Sequence, residues 1–276
     1  MLIYIIKIFE VGDFDIMLAP KNIQTTWKKF DDFPMETLTK AWFYSKGSIK
    51  KQRDVSLIRE HRHQFGLSGN CFDLAICLLD EFQKDGITAY PIGHNLNTAN
   101  AHVAVIALDG LGNRFLCDLG DQWLRPILID TDVEEYTDEK LSGFFPAASI
   151  QVKPNETGIE ILYHRPNGKV SKQIYDTKPI ELSSFMQAAE FSQNIIKPRP
   201  LLECRIPFKS EIAHWEFYNW KSFLSTSEGL FNEPKLDSIE NWAVKINQKT
   251  GYDKQFLVDA LKIYKGFSSV ESSNID

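Results

Sequence analysis

The stretch from Cys71 to Lys84, Cys-Phe-Asp-Leu-Ala-Ile-Cys-Leu-Leu-Asp-Glu-Phe-Gln-Lys, sets the strongest limit on what this chain can become. Asn70 before it is a ready N-cap and Gly86 lies past its end, so the spacing predicts a helix from 71 to about 84. Its apolar residues Phe72, Leu74, Ala75, Ile76, Leu78, Leu79 and Phe82 go most of the way round. A helix of that kind is buried. Other elements must cover it on several sides. With 276 residues, 43% of them hydrophobic and 12% aromatic, the chain can supply that cover as one large domain or two to three small units sharing a surface. The same composition excludes a disordered, collagen-like or low-complexity chain.

The segments around this helix differ in kind. Before it the pattern is helical: Pro34 stands where a first helical turn tolerates it, Glu36, Leu38, Ala41 and Trp42 follow at helical spacing, and a second helix covers Val55 to Gln64. After Gly86 the pattern changes to strands. Ala101 to Leu108 and Arg114 to Leu119 flank the turn signal Asp109-Gly110-Leu111-Gly112 and predict a hairpin. Pro126 to Ile129, Ser149 to Lys153, Gly158 to Tyr163 and Val170 to Tyr175 continue the strand block. A helix from Glu181 to Gln193, strands over Leu201 to Ile206 and Ile212 to Leu224, and a helix from Asp253 to Tyr264 make a mixed last third, with a Ser-rich tail expected to fray after Gly266. Helices first, strands next and a mixed unit last point to an α+β fold.

Charge and cysteine usage narrow the function. A net charge of −6 argues against a broad nucleic-acid surface. Met1 to Lys7 is apolar but too short to span a bilayer and is soon interrupted by Glu10, Asp13 and Asp15. It reads as a strand or buried arm of a cytoplasmic protein with no membrane partner. The four cysteines, Cys71, Cys77, Cys117 and Cys204, form no CxxC pair and are too sparse for a disulfide scaffold. Six residues of helix turn about 600°, so Cys71 and Cys77 face different ways. No metal is expected: His61 and His63 do not share a helix face, and His94, His164 and His214 have no companion nearby in the sequence.

Three residues suggest chemistry. Cys71 stands at a helix start, where the partial positive charge favours thiolate over thiol and free amides can bind a developing oxyanion. A cysteine in an apolar helix is equally well a small core residue. His102 is a histidine inside the near-continuous apolar strand Ala101-His102-Val103-Ala104-Val105-Ile106, and a buried imidazole needs partners. Asp118 is an acid inside Phe115-Leu116-Cys117-Asp118-Leu119-Gly120 on the returning strand. A three-residue turn sets His102 opposite Asp118, and a turn one residue longer or shorter moves the partner by one. Asp73, in the first helical turn, either favours the helix dipole or closes a hydrogen-bond network around the site.

Cys, His and Asp in this order, on a helix start and two following strands, resemble the arylamine N-acetyltransferases, a family similar to transglutaminase-like and papain-like thiol enzymes. Phe33-Pro34-Met35-Glu36-Thr37-Leu38 looks like that family's Pro-Phe-Glu-Asn-Leu. Ser68-Gly69-Asn70-Cys71-Phe72-Asp73 falls where it has Arg-Gly-Gly-x-Cys-x-Glu, with Leu67 and Ser68 replacing the Arg and first Gly. Ala101-His102-Val103-Ala104-Val105 matches its His strand, and Cys117-Asp118-Leu119-Gly120, with Pro126 and Leu128 after it, matches its Asp-Val-Gly segment. Asp121 stands where the family usually has an aromatic or small residue. The resemblance implies a helical domain over 1–86 carrying the nucleophile, a β-barrel-like domain over 87–180 carrying His and Asp, and an α/β lid over 181–276, a cysteine-protease-like core. It also implies an acetyltransferase with catalytic Cys71, His102 and Asp118. Acetyl-CoA would be the acyl donor and an arylamine or hydrazine the acceptor, with an acetyl-cysteine between. The residues contacting CoA are not assigned. The alternatives are a thiol hydrolase or amide-forming acyltransferase with another acyl donor, or an inactive binding protein that retains the fold.

Overall fold

The helix expected from Cys71 to Lys84 forms over those residues, and side chains build its start. The Asn70 carboxamide oxygen accepts from the amides of Phe72 (2.9 Å) and Asp73 (3.2 Å), while the Asp73 carboxylate accepts from the Asn70 amide (3.0 Å). This reciprocal box satisfies orphan donors at the helix start. The computed structural model describes residues 16–45 and 51–273, so the expected arm at Met1 to Lys7 lies outside the described residues. The helical part holds α1 (Lys21–Lys28), α2 (Leu38–Ser45), α3 (Val55–Phe65) and the buried α4 (Cys71–Lys84), with a two-residue strand β1 (Met35–Glu36) between the first two. The strand block holds β2 (Ala89–His94), β3 (His102–Leu108), β4 (Arg114–Cys117), β5 (Ile127–Leu128), β6 (Leu141–Phe145), β7 (Ala148–Pro154), β8 (Gly158–His164) and β9 (Val170–Asp176). Helix α5 (Leu182–Gln193) leads to β10 (Leu201–Phe208), β11 (Glu211–Tyr218), β12 (Lys221–Thr226) and β13 (Gly229–Asn232), then α6 (Ile239–Thr250) and α7 (Lys254–Ser273).

The α+β class holds, but the barrel-like domain expected over 87–180 does not form. The strands make three open antiparallel sheets, ordered β2-β3-β4-β5, β6-β7-β8-β9 and β1-β10-β11-β12-β13. The reason lies at the edges. β5 is two residues long, and its free side is taken by the backbone at Met17 and Leu18 rather than by β2 (Leu128 N–H to Met17 O, 2.9 Å). Among the described residues, strands β6 to β9 pair only with one another, and β9 lies beside β2 without joining its ladder.

Other differences are local. Pro34 precedes the short β1, which pairs with β10, so α2 begins at Leu38. The single strand expected over Ile212 to Leu224 is the hairpin β11–β12, turned at Asn219 and Trp220, both at positive φ (47° and 63°). Asn-x at such a turn is a weaker signal than Asn-Gly. Ser238 caps α6 by accepting from the Asn241 amide (3.1 Å). Helix α7 continues to Ser273 rather than ending near Tyr264. No helix among the described residues is long and apolar enough to cross a membrane.

Two apolar clusters hold these layers. One packs α1, α4 and α5 against the two central sheets, with Trp27, Phe72, Trp123 and Phe185 at 2% exposure or less. The other packs α2, α6 and α7 on the β10–β13 sheet around Trp215, Phe217, Trp242 and Leu257. The Cys71 end of α4 is tied to the β10–β13 sheet through β1, since the Glu36 amide donates to Gly69 O (2.9 Å) and β1 pairs with β10.

Candidate active site

Cys71 is the first residue of α4, half-buried, and it meets the His102 ring at Gly120. The loop that presents it is held from below. Arg53, 1% exposed, donates to Ser68 O (2.7 Å) and pairs with the Asp73 carboxylate (3.0 Å), which also accepts from Gln52 Nε2 (2.6 Å). Asp73 therefore does both things expected of it as alternatives: it serves the helix start and closes a network under the site. Leu67 stands where the resemblance has an arginine, and the buried guanidinium comes from Arg53 instead. Gly69 sits at φ +147°, and a Cβ there would lie 2.2 Å from Asp73 Oδ2 and 2.4 Å from Arg53 Nη2, so no side chain fits.

His102 opens β3 and Asp118 follows β4 directly. The β3–β4 register pairs Val105 with Cys117 and Leu108 with Arg114. Continued outward, it sets Gly120 rather than Asp118 opposite His102. The shift is two residues, so Asp118 keeps the same face and reaches the imidazole diagonally. His102 Nε2 donates to Asp118 Oδ2 at 2.6 Å. The fully buried carboxylate also accepts from the Tyr175 hydroxyl (2.9 Å) and, on Oδ1, from the Asp121 amide (2.9 Å). With Nε2 engaged, Nδ1 is the ring nitrogen left for Cys71. Gly120 closes the group: a Cβ there would stand 2.8 Å from Cys71 Cβ, 3.1 Å from His102 Cε1 and 3.2 Å from Asp118 Oδ1. The three residues singled out in the sequence thus meet.

The electrostatics single out the same atoms. Burial alone would lower the His102 pKa, but the carboxylates of Asp118 and Asp121 and the hydrogen bonds to Asp118 and Cys71 outweigh it, so the imidazole is held well above its usual value of 6.5. Burial pushes Asp121 up to about 6 against the pull of His102, with Asp118 adding repulsion; its Oδ1 lies 4.0 Å from His102 Nε2. Burial pushes the Cys77 and Cys204 thiols up to about 12 and raises Cys117 as well, which holds all three as inert thiols. His94, whose ring centroid is 5.6 Å from that of His102, is lowered by burial and then by the neighbouring imidazole.

Asp121 was visible in the sequence only as a departure from a pattern, and Tyr175 only as a strand residue. Tyr175 carries no local signal because it reaches the site from β9, 57 residues after Asp118. His102, Asp121 and His94 open onto a cleft of about 670 Å³ that Lys172 and Asp176 also line. A larger cleft of about 1470 Å³, lined by Arg125, Arg165, Arg205 and Lys249 among others, contains none of Cys71, His102 and Asp118.

As a sequence the chain matches no family model and no curated protein. As a structure it matches the arylamine N-acetyltransferase of Mycobacterium marinum, solved in complex with CoA, with a TM-score of 0.64 and 9% identity, over 88% of this chain and 92% of that one. The chain has the arylamine N-acetyltransferase fold. The Salmonella typhimurium member of that fold gives a TM-score of 0.64 at 12% identity, over 86% of this chain and 89% of that one. The Bacillus cereus member, described as having a Cys-His-Glu catalytic triad, gives 0.61 at 10% identity over 86% and 92%. The fold thus extends over nearly the whole of each chain, and this molecule combines it with a Cys-His-Asp arrangement.

Proposed function

We propose that the protein is a divergent arylamine N-acetyltransferase-like acyltransferase, with Cys71 as nucleophile, His102 as base and acid, and Asp118 as the residue orienting His102. The observation that carries this reading is the 2.6 Å bond from His102 Nε2 to Asp118, which leaves Nδ1 as the nitrogen free to serve Cys71 at the start of α4. His102 Nδ1 takes the Cys71 proton, and the sulfur attacks the carbonyl carbon of an acyl thioester such as acetyl-CoA. The tetrahedral intermediate expels the CoA sulfur, which takes the proton back from His102, and an acyl-cysteine remains. An amine then attacks that thioester, His102 accepts its proton, and Cys71 leaves. Asp118 keeps the imidazole in one tautomer and stabilises the imidazolium at each transfer. The Asn70 cap consumes the amides of Phe72 and Asp73, so the Cys71 amide is the helix-start donor left for the oxyanion.

The acceptor is a small-molecule amine, an arylamine or hydrazine by analogy with the fold's named members, and the donor is a CoA thioester. The test is the release of free CoA from acetyl-CoA without an acceptor. An acyltransferase gives a burst of one equivalent and then stops until an amine is added. Continuous release without amine identifies a hydrolase, and no release from any CoA thioester overturns the reading.

A further inference from the structure

The face of the β10–β13 sheet turned away from α2, α6 and α7 carries three potential metal ligands, near enough to the Cys71 site for Glu203 to feel the charges of Asp118 and Asp121. Glu203 on β10 is directly opposite Glu216 on β11, and His214 is two residues before Glu216, so it shares that face. One ring nitrogen of His214 and one carboxylate oxygen from each glutamate lie within 4.8 Å of one another, and His214 Nε2 is 3.9 Å from Glu216 Oε2. We propose that Glu203, His214 and Glu216 form a binding site for a divalent transition-metal ion, which would clamp β10 to β11.

Two facing carboxyls without a partner cation hold their protons: burial, and then repulsion from Glu216, raises Glu203 well above its usual value, and burial raises Glu216 to about 7. Like charges directly across two strands repel, yet among the described residues neither glutamate has a lysine or arginine within ion-pair distance. The nearest guanidinium groups are otherwise disposed. Arg205, opposite His214, donates to Trp123 O (2.7 Å) and Phe30 O, and Arg165 lies over the Phe145 ring with 5.4 Å to its centroid. His214 is the second, independent observation. It is only 9% exposed, its Nδ1 is buried without a partner, and its Nε2 is turned toward Glu216 at 3.9 Å, too far for a hydrogen bond. A buried imidazole with its Nε2 turned toward two carboxylates that have no lysine or arginine in ion-pair distance is a donor set of one nitrogen and two oxygens. Imidazole with carboxylates suits zinc and its first-row neighbours, whereas calcium and magnesium take oxygen alone. Two ligand atoms on a tetrahedral zinc stand about 3.3 Å apart, from bonds of about 2.0 Å, so side-chain rotation alone closes the set. Glu216 stands two residues from His214 in the sequence, but an imidazole and one acid are no metal signal until the neighbouring strand brings Glu203 beside them.

The test is equilibrium dialysis of Zn²⁺ against the full chain, with Co²⁺ as a spectroscopic probe. Both are run in a Cys71→Ala, His102→Ala background so that the Cys71 site cannot hold the ion. The expected result is one bound ion per chain, a Co²⁺ spectrum without a thiolate charge-transfer band, and affinity at least about tenfold weaker in Glu203→Gln and His214→Ala. Glu216→Gln keeps side-chain volume and is the replacement variant should His214→Ala not fold. Loss of binding in the Cys71→Ala, His102→Ala background, a thiolate band, or affinity unchanged by the Glu203 and Glu216 substitutions would each overturn the site.

Discussion

Carboxylates hold the His102 imidazole above its usual pKa against the pull of burial, and that hold has a sign that can be measured. A histidine whose pKa is raised in the fold contributes its stability in full below the unfolded value of about 6.5 and loses it as pH climbs through the folded value. Asp118→Asn removes the main carboxylate while keeping shape. Its melting-temperature deficit should be largest between about pH 5 and 6.5 and shrink as the pH rises. A deficit that is flat with pH would show that the pair carries no such charge. The same substitution should slow acylation of Cys71 by about three to four orders of magnitude, and acylation at the native rate would leave Asp118 structural. Gly120 offers a second test at this scale. A methyl group there meets Cys71 Cβ at 2.8 Å, and displacing a reacting group by about 1 Å costs on the order of 100-fold. Gly120→Ala should therefore fold and acylate about 100-fold more slowly, and a rate within a few-fold of native would deny the close approach. These roles were legible unevenly. An imidazole and an acid in two apolar strands announce themselves, and parity kept them on one face although the register differs by two. Tyr175 gave no such notice, because nothing near it in the chain marks what it approaches, and Asp121, three residues from Asp118, showed only as a departure from a pattern.

At the scale of elements, the start of α4 depends on a guanidinium from another segment. Arg53 and Asp73 are both 1% exposed, and removing one partner of a buried pair leaves the other uncompensated, at a cost of about 3–5 kcal/mol. Arg53→Met should lower unfolding stability by that amount in denaturant titrations and loosen the Cys71 loop; a loss under about 1 kcal/mol would mean that the pair is dispensable. The capped, apolar α4 was readable from its own residues, as were the strands that alternate or run apolar. The missed elements fail for a common reason. Helices α1 and α6 have mean hydrophobicities kept low by Lys, Asn and Gln, and they bury only a narrow stripe, such as Trp242, Ala243 and Ile246 in α6. Such helices form because a neighbouring layer receives the stripe, and their local sequence carries little of that information.

At the scale of the whole molecule, the number of strands was more legible than their partnership. The turns after Gly86 imply a run of antiparallel strands, but whether its ends meet depends on edges, and here the backbone at Met17 and Leu18 covers β5 before β2 can reach it. The consequence is three open sheets that bring β1, the α4 start, β3 and the end of β4 to one place. That convergence is what the account rests on, and intact-protein mass after mixing with acetyl-CoA tests it most directly. The native chain should gain one acetyl group, mapped by peptide analysis to Cys71, and Cys71→Ala should gain none. Acetylation that persists in Cys71→Ala, or that maps to Cys77, Cys117 or Cys204, would contradict it.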